Sequence, residues 1–177
     1  MTATAQLSRI IVVRSAGDRT RGFVVAGALR APCALGRAGT RRAKQEGDGA
    51  TPAGSFRLLA VLYRPDRLPR PRTRLPVIAL RPDSGWCDDP ADRAYNQPVR
   101  LPYLASHERL WRDDRLYDVI VVLDYNLSPT VPGAGSAIFL HLATEDFSST
   151  EGCVAVSPET MHRLLPHLGP QTIIEIR

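Results

Sequence analysis

The amino-acid sequence predicts a mainly β protein, a sandwich or barrel of short mixed strands with one or two short helices, the clearest near the C-terminus. Short apolar runs rich in β-branched residues recur along the chain, and Gly, Pro and Asp residues separate them. The 13 glycines and 15 prolines would interrupt long helices, whereas short strands joined by turns tolerate them. One segment near the C-terminus combines several helix-start signals.

The first half of the chain contains several strand patterns. Residues 10–13 and 22–26 are apolar and flank a Ser-Ala-Gly-Asp turn, which predicts a hairpin. Further strands are expected at residues 31–35, 55–63 and 77–80, because Gly- or Pro-rich sequence lies next to each of these apolar runs.

The second half predicts strands and two short helices. The β-branched run at residues 117–125 is typical of a central strand, and residues 137–141 and 172–176 predict two more. Residues 104–111 predict a short helix capped by Ser106.

The clearest helix is predicted to begin after Ser157. This residue is a good N-cap, Pro158 suits the first helical position, and Glu159 places an acid in the first turn. Leucines and a methionine at helical spacing then supply an apolar face.

Composition is that of an ordinary globular protein. The chain has 177 residues, of which 44% are hydrophobic and 23% charged, so residues 1–177 are expected to form a single domain. The apolar runs are too short for a membrane span, so no stable membrane insertion is expected. The net charge of +5 comes from scattered arginines without a nucleic-acid-binding motif, so no nucleic-acid partner is expected. The sequence does not indicate an oligomeric state.

Three cysteines, Cys33, Cys87 and Cys153, are too few and odd in number for a disulfide framework. No Cys-x-x-Cys or His-x-x-x-His pair is present, so a metal site is not expected. Cys33 lies in an apolar run and is expected to be a buried filler. Cys87 precedes two aspartates, whose negative charge disfavours a thiolate.

The most informative feature is the segment from His141 to Cys153. An apolar run ends in the histidine, a polar loop follows, and a Gly-Cys pair leads back into apolar residues. An imidazole can draw the proton from a thiol and leave a strong nucleophile, so the pattern predicts a cysteine acyl-transfer site. The alternative is a buried thiol beside a core histidine.

The residues around the cysteine fit that chemistry. Gly152 permits a sharp turn and a close approach of substrate to the main chain. The amides of Gly152 and Cys153 are predicted to form an oxyanion hole. Ser149 and Thr150 belong to the polar loop that would support this turn. The ring nitrogen of His141 that faces away from the thiol is expected to bond a backbone carbonyl or a hydroxyl.

These residues resemble the active-site motif of the L,D-transpeptidases of the YkuD type, which remodel bacterial peptidoglycan. In that family a histidine at a strand end precedes a Ser/Thr-x-Gly-Cys segment and an apolar residue, and the match here is His141 with residues 150–154. The resemblance covers most of the chain through Lys44 and residues 35–39, 46–49, 51–52, 54–56, 85–89, 95–96, 106–108, 110–111 and 116–118.

The resemblance implies a YkuD-like fold over residues 1–177, with Cys153 as the nucleophile and His141 as the general base and acid. Members of the family cleave a stem peptide through a thioester, which an amine resolves in transfer and water resolves in carboxypeptidase action. This chemistry needs no metal and no cofactor. Hydrolysis of a wall crosslink and a non-catalytic wall-binding module are the alternatives.

Two positions depart from the family pattern. Many members have His where this chain has Glu151, and Arg where it has Ala155. Since that Arg is thought to grip substrate, this grip must come from elsewhere here or be absent. Asn96, His107 and Arg112 are the candidates.

Peptidoglycan chemistry also implies a cell-envelope or periplasmic location. The first nine residues, however, lack a basic start followed by an apolar segment, so the sequence shows no signal peptide and a cytoplasmic location stays open.

Overall fold

The computed structural model describes residues 6–177. Within this range it contains fourteen short strands, one α-helix and one 3₁₀ turn. Their bounds are β1 (Arg9–Arg14), β2 (Arg21–Ala26), β3 (Leu29–Ala34), β4 (Thr40–Arg41), β5 (Thr51–Pro52), β6 (Gly54–Tyr63), β7 (Val77–Ala79), β8 (Ser84–Cys87), β9 (Pro98–Arg100), β10 (His107–Arg109), β11 (Val119–Leu123), β12 (Phe139–Leu142), β13 (Val154–Val156), α1 (Pro158–Leu164), the 3₁₀ turn (Leu165–His167) and β14 (Ile173–Ile176).

The main sheet has nine strands in the order β11-β12-β13-β3-β2-β1-β14-β6-β7. The long strand β6 also pairs with β11. This pairing joins the first strand of the order to the last but one and makes the sheet barrel-like. The predicted mainly β fold is confirmed. Every strand predicted from the sequence overlaps an observed one.

Strands β11, β12 and β13 are buried on both faces. Alternate residues therefore enter two different cores. Val121 and Leu140 belong to the larger core, inside the main sheet, whereas Ile120 and Phe139 belong to a smaller core on the other face. Cys153 also belongs to this smaller core, so the face it occupies is covered by protein and not by bulk water.

A second sheet, in the order β10-β8-β9, contributes to the cover of that smaller core. Trp86 of β8 packs edge to face on Phe139, with ring centroids 5.2 Å apart. The helix predicted at residues 104–111 is wrong, because residues 107–109 form β10 and pair antiparallel with β8. Tertiary pairing with a strand that the sequence pattern did not predict overrides the local helix signal around Ser106.

The helix predicted after Ser157 is confirmed. The Ser157 hydroxyl accepts from the Thr160 amide at 3.1 Å, and Pro158 occupies the first turn. Met161 and Leu164 are buried against the larger core.

No helix within residues 6–177 is long and apolar enough to cross a membrane. The signal-peptide expectation concerns the N-terminal residues, of which residues 1–5 lie outside the described part of the chain.

Candidate active site

Parallel pairing of β12 and β13 places His141 and Cys153 on one face of the main sheet. His141 is opposite Ala155 in the ladder, and Cys153 lies two residues before Ala155. Residues two apart in an extended chain project to the same side. Both side chains line one cavity of about 740 Å³. The structure thus brings together the two residues that sequence reasoning paired.

The Cys153 thiol is 7% exposed and has two polar neighbours. It donates to the Ala137 carbonyl at 3.2 Å and accepts from the Phe139 amide at 3.3 Å. Burial raises the pKa of this thiol well above its ordinary value, and the nearby Glu108 carboxyl raises it further. The Phe139 amide and the Lys44 ammonium act in the opposite direction, because they favour a thiolate.

His141 is buried, and its orientation is set by the backbone. Nδ1 lies 2.8 Å from the Leu142 carbonyl, so Nδ1 carries the proton and Nε2 is the basic nitrogen. This confirms the predicted backbone partner of the imidazole. The Tyr117 ring packs edge to face on the imidazole at 5.1 Å. Burial lowers the pKa of His141 to about 4, so the imidazole is neutral near pH 7.

The resting pair is therefore a neutral thiol beside a neutral imidazole. No hydrogen bond joins Cys153 to His141 in the described part of the chain, since the thiol points at the Ala137 carbonyl. Catalytic hydrogen bonds often tighten only when substrate is bound. Transfer of the thiol proton to His141 would require the thiol to release this carbonyl.

The turn that presents Cys153 is held by Thr150. Its hydroxyl donates to the Cys153 carbonyl at 2.7 Å and accepts from the Gly152 amide at 3.1 Å. The Thr150 amide donates to the Leu35 carbonyl at 2.9 Å, which ties the turn to the strand-β3 side of the barrel. These three hydrogen bonds are the contacts through which Thr150 would support the cysteine turn, as predicted for it. Ser149 is exposed and lines the cavity.

Gly152 has a backbone conformation that favours glycine. Its φ is +142°, and a Cβ at this position would lie 2.8 Å from the Ala50 carbonyl oxygen. The oxyanion hole stays a prediction, and the Gly152 amide already donates to the Thr150 hydroxyl. In the described residues no acceptor is found for the Cys153 amide, so this amide is the donor available to an oxyanion.

Lys44 is a site residue whose role the residue-level reasoning missed. It is the chain's one lysine, its side chain is 2% exposed, and Nζ pairs with Asp48 at 2.7 Å. A Cβ on Gly152 would lie 3.3 Å from Nζ, so the ammonium is directly behind the cysteine turn. A lone lysine four residues before an aspartate was the available signal, but its burial depends on tertiary packing.

Two of the three substrate-binding candidates line the cavity. His107 is on β10, with Nδ1 2.8 Å from the Ala105 carbonyl. Arg112 forks onto Asp114 and lies over the Tyr117 ring at 5.2 Å.

Asn96 does not line this cavity, and its role as a substrate contact stays a prediction. The side chain is buried, with Oδ1 accepting from Trp86 and from the Ala137 amide, both at 3.0 Å. Its Nδ2 donates to the carbonyls of Tyr125 and Asn126. All four hydrogen-bonding positions are occupied, so Asn96 positions the loop whose Ala137 carbonyl meets the thiol.

The two departures from the family pattern have different environments. Glu151 is exposed and forms a salt bridge with Arg37 at 2.9 Å. Ala155 is 1% exposed and lies opposite His141, where a larger side chain would enter the cavity. Arg112 also lines this cavity, and its positive charge lowers the pKa of His141.

Within residues 6–177 there is no cluster of three or more His, Cys, Asp or Glu side chains that could hold a metal ion.

The chain is similar to a solved structure and to one protein family. Mycobacterium tuberculosis L,D-transpeptidase 1 aligns with a TM-score of 0.40 and 14% identity, over 95% of this chain and 61% of that one. The chain therefore spans about three fifths of that protein's length. No curated protein matches. The model of the YkuD family, described as the L,D-transpeptidase catalytic domain, matches residues 8–176. Since this match covers almost the whole sequence, the chain belongs to the YkuD family of L,D-transpeptidase catalytic domains.

Proposed function

We propose that this protein is a cysteine-dependent L,D-transpeptidase that acts on peptidoglycan stem peptides through a thioester. The observation that carries the proposal is the arrangement at one cavity of Cys153, an amide aimed at its sulfur, and a histidine whose Nδ1 is fixed by a backbone carbonyl. Family membership supports the same reaction class. A cysteine that only fills space in the core would not require a hydrogen bond from the Phe139 amide or a position in the wall of a cavity.

In the first half of the reaction, a donor peptide carbonyl enters the cavity beside the thiol. Nε2 of His141 takes the thiol proton as sulfur attacks the carbonyl carbon. The Cys153 amide donates to the oxygen that gains negative charge. His141 then gives its proton to the leaving amine, and the donor remains on Cys153 as a thioester.

In the second half, an acceptor resolves the thioester. An amine gives a new peptide bond, and water gives a carboxylic acid, so transfer and hydrolysis share the same acyl-enzyme. Hydrolysis of a wall crosslink uses the same steps with a different donor. The substrate implies a cell-envelope site of action, which forms part of the proposal.

The test is intact-protein mass spectrometry after exposure to a carbapenem, which would acylate an activated active-site cysteine. We expect one covalent adduct on the wild type and on Cys33→Ala, and none on Cys153→Ala. Product analysis with stem peptides would then separate transfer from hydrolysis. Absence of an adduct on the wild type, together with slow alkylation of Cys153 by iodoacetamide, would instead favour a wall-binding module.

A further inference from the structure

We propose that Glu108 is a second general base of this cavity, which removes a proton from the acceptor amine and so favours transfer over hydrolysis. The inference rests on the proposed function and assigns a residue to its second half-reaction.

Glu108 is placed in the wall of the cavity by β10. It pairs with Trp86 of β8 in the antiparallel ladder, so the second sheet holds it over the catalytic strands. Its carboxyl is close enough to Cys153 to raise the pKa of the thiol. Both residues line the same cavity. An amine that approaches a thioester on Cys153 therefore passes near this carboxyl group.

The carboxyl is held on one side and open on the other. The Tyr117 hydroxyl donates to Oε1 of Glu108, and the Tyr117 ring packs on His141. Among the described residues no group donates to Oε2 of Glu108. This oxygen is also not among the fully buried atoms that lack a hydrogen-bond partner, so it is open to the cavity. One oxygen thus anchors the side chain while the other can accept from a ligand.

The surroundings of Glu108 favour proton uptake. Burial raises the pKa of its carboxyl, and the negative charges of Asp88 and Glu46 raise it further. The Tyr117 hydrogen bond and the Arg112 guanidinium act in the opposite direction. Asp88 also lines the cavity, with a buried Oδ1 that has no hydrogen-bond partner, so this wall attracts an ammonium group.

Transfer to an amine requires two proton acceptors. A primary amine with a pKa near ~10.4 enters as an ammonium, which cannot attack. Ionised Glu108 takes one proton and becomes a carboxylic acid, leaving a neutral amine. The amine nitrogen then bonds to the thioester carbon, the carbon–sulfur bond breaks, and His141 moves the second proton from nitrogen to sulfur. Glu108 finally releases its proton to solvent.

Attack by water requires only one acceptor. Water is neutral when it enters, so His141 alone can move its proton to the leaving sulfur. Loss of a second base should therefore reduce transfer more than hydrolysis.

The experiment compares wild type, Glu108→Gln, Glu108→Asp and Glu159→Gln in the full chain. A donor tetrapeptide is supplied with Nα-acetyl-lysine as the acceptor amine, and both products are quantified from pH 5 to 10. We expect the transfer-to-hydrolysis ratio of Glu108→Gln to fall at least tenfold. This is a conservative figure, because a general base typically raises a reaction rate by about 10²–10⁴-fold. Glu108→Asp should recover part of the ratio. Glu159 is exposed on α1, outside the cavity lining, and its variant is the matched control.

An unchanged ratio in Glu108→Gln would overturn the proposal. Equal losses of thioester formation and of transfer would also overturn it, because they would assign Glu108 a positioning role through Tyr117. If Glu108→Gln fails to fold, Tyr117→Phe takes its place. That variant should raise the pH at which transfer begins, because it removes a hydrogen bond that stabilises the ionised carboxyl. A wild type that forms no thioester would instead refute the proposed function itself.

Discussion

Cys33 and Cys153 lie on neighbouring segments of the main sheet, and burial alone does not distinguish them. Cys33 of β3 is opposite Val156 of β13, three residues beyond Cys153. Their exposed fractions are 1% and 7%. Burial raises the pKa of both thiols, to about 12 for Cys33 and by a large amount for Cys153.

The groups around the two sulfurs differ. Cys33 is packed in the larger apolar core, where its sulfur would lie 3.2 Å from a Cβ on Gly22. Cys153 borders a cavity and has the Phe139 amide, the Ala137 carbonyl and the Lys44 ammonium nearby. The two cysteines therefore differ in the polar groups directed at the sulfur and in the neighbouring cavity, and not in burial.

The largest expected effect comes from replacing Cys153 and Cys33, each in turn, with alanine. Cys153→Ala should lower the rate of product formation from a stem tetrapeptide by about 1000-fold or more, since the nucleophile is lost. Cys33→Ala should change that rate by less than about twofold, because its sulfur touches no reacting group. Product release followed by chromatography measures both. Comparable losses in the two variants would remove the functional distinction.

Gly152→Ala should affect both stability and reactivity. A side chain at φ +142°, with Cβ 2.8 Å from the Ala50 carbonyl, should cost about 3 kcal/mol in the free energy of unfolding. Any relief of the clash displaces Cys153, so alkylation by iodoacetamide should slow as well.

The control is Gly133→Ala, because Gly133 has φ +77° and open space around its Cβ position. Its expected cost is about 1 kcal/mol, from backbone conformation alone. Urea unfolding of the two variants gives the comparison. Equal costs would show that the Ala50 contact is relieved without penalty.

The buried imidazole of His141, beside Cys153, predicts a dependence of stability on pH that the Cys33 region lacks. His141 has a pKa of about 4 in the folded protein and an ordinary value of 6.5 when unfolded. The unfolded chain therefore binds more protons between these values, and stability falls as the pH is lowered from 6.5 to 4. The expected loss from this group is about 3 kcal/mol.

Urea unfolding at pH 7 and pH 4.5 measures this effect, with His141→Gln as the reference that cannot titrate. Carboxylates contribute to acid denaturation in both proteins, so the difference between the two slopes isolates the histidine. Parallel slopes would contradict a buried neutral imidazole.

The smallest expected effect concerns the packing of Cys33. Cys33→Ala removes one buried sulfur from the larger core and should lower the free energy of unfolding by about 1 kcal/mol. Thermal unfolding monitored by circular dichroism is sufficient to detect it. A loss much greater than that of Gly133→Ala would show that Cys33 does more than fill space.

Local patterns in the sequence predicted most strands. The reason is that both the spacing of apolar residues and the turn residues that bound a strand depend on only a few neighbouring positions. The run at residues 117–125 contains β11, and the Ser157 cap begins α1 as expected. The failure at residues 104–111 has a long-range cause, since β10 exists through its pairing with β8, about twenty residues earlier. The hydrogen bonds of Asn96 have a similar long-range origin, because its partners at Tyr125, Asn126 and Ala137 are distant in sequence.

The sequence by itself determined the family, because a histidine, a Gly-Cys turn and a threonine before it are local features that can be compared with a family pattern. Only the tertiary structure decided what surrounds the thiol. The Phe139 amide, Lys44 and Glu108 reach Cys153 from different strands and loops, and the Gly152 amide is occupied by Thr150. Electrostatic interactions at the sulfur depend on distance and burial in space, which sequence separation does not specify.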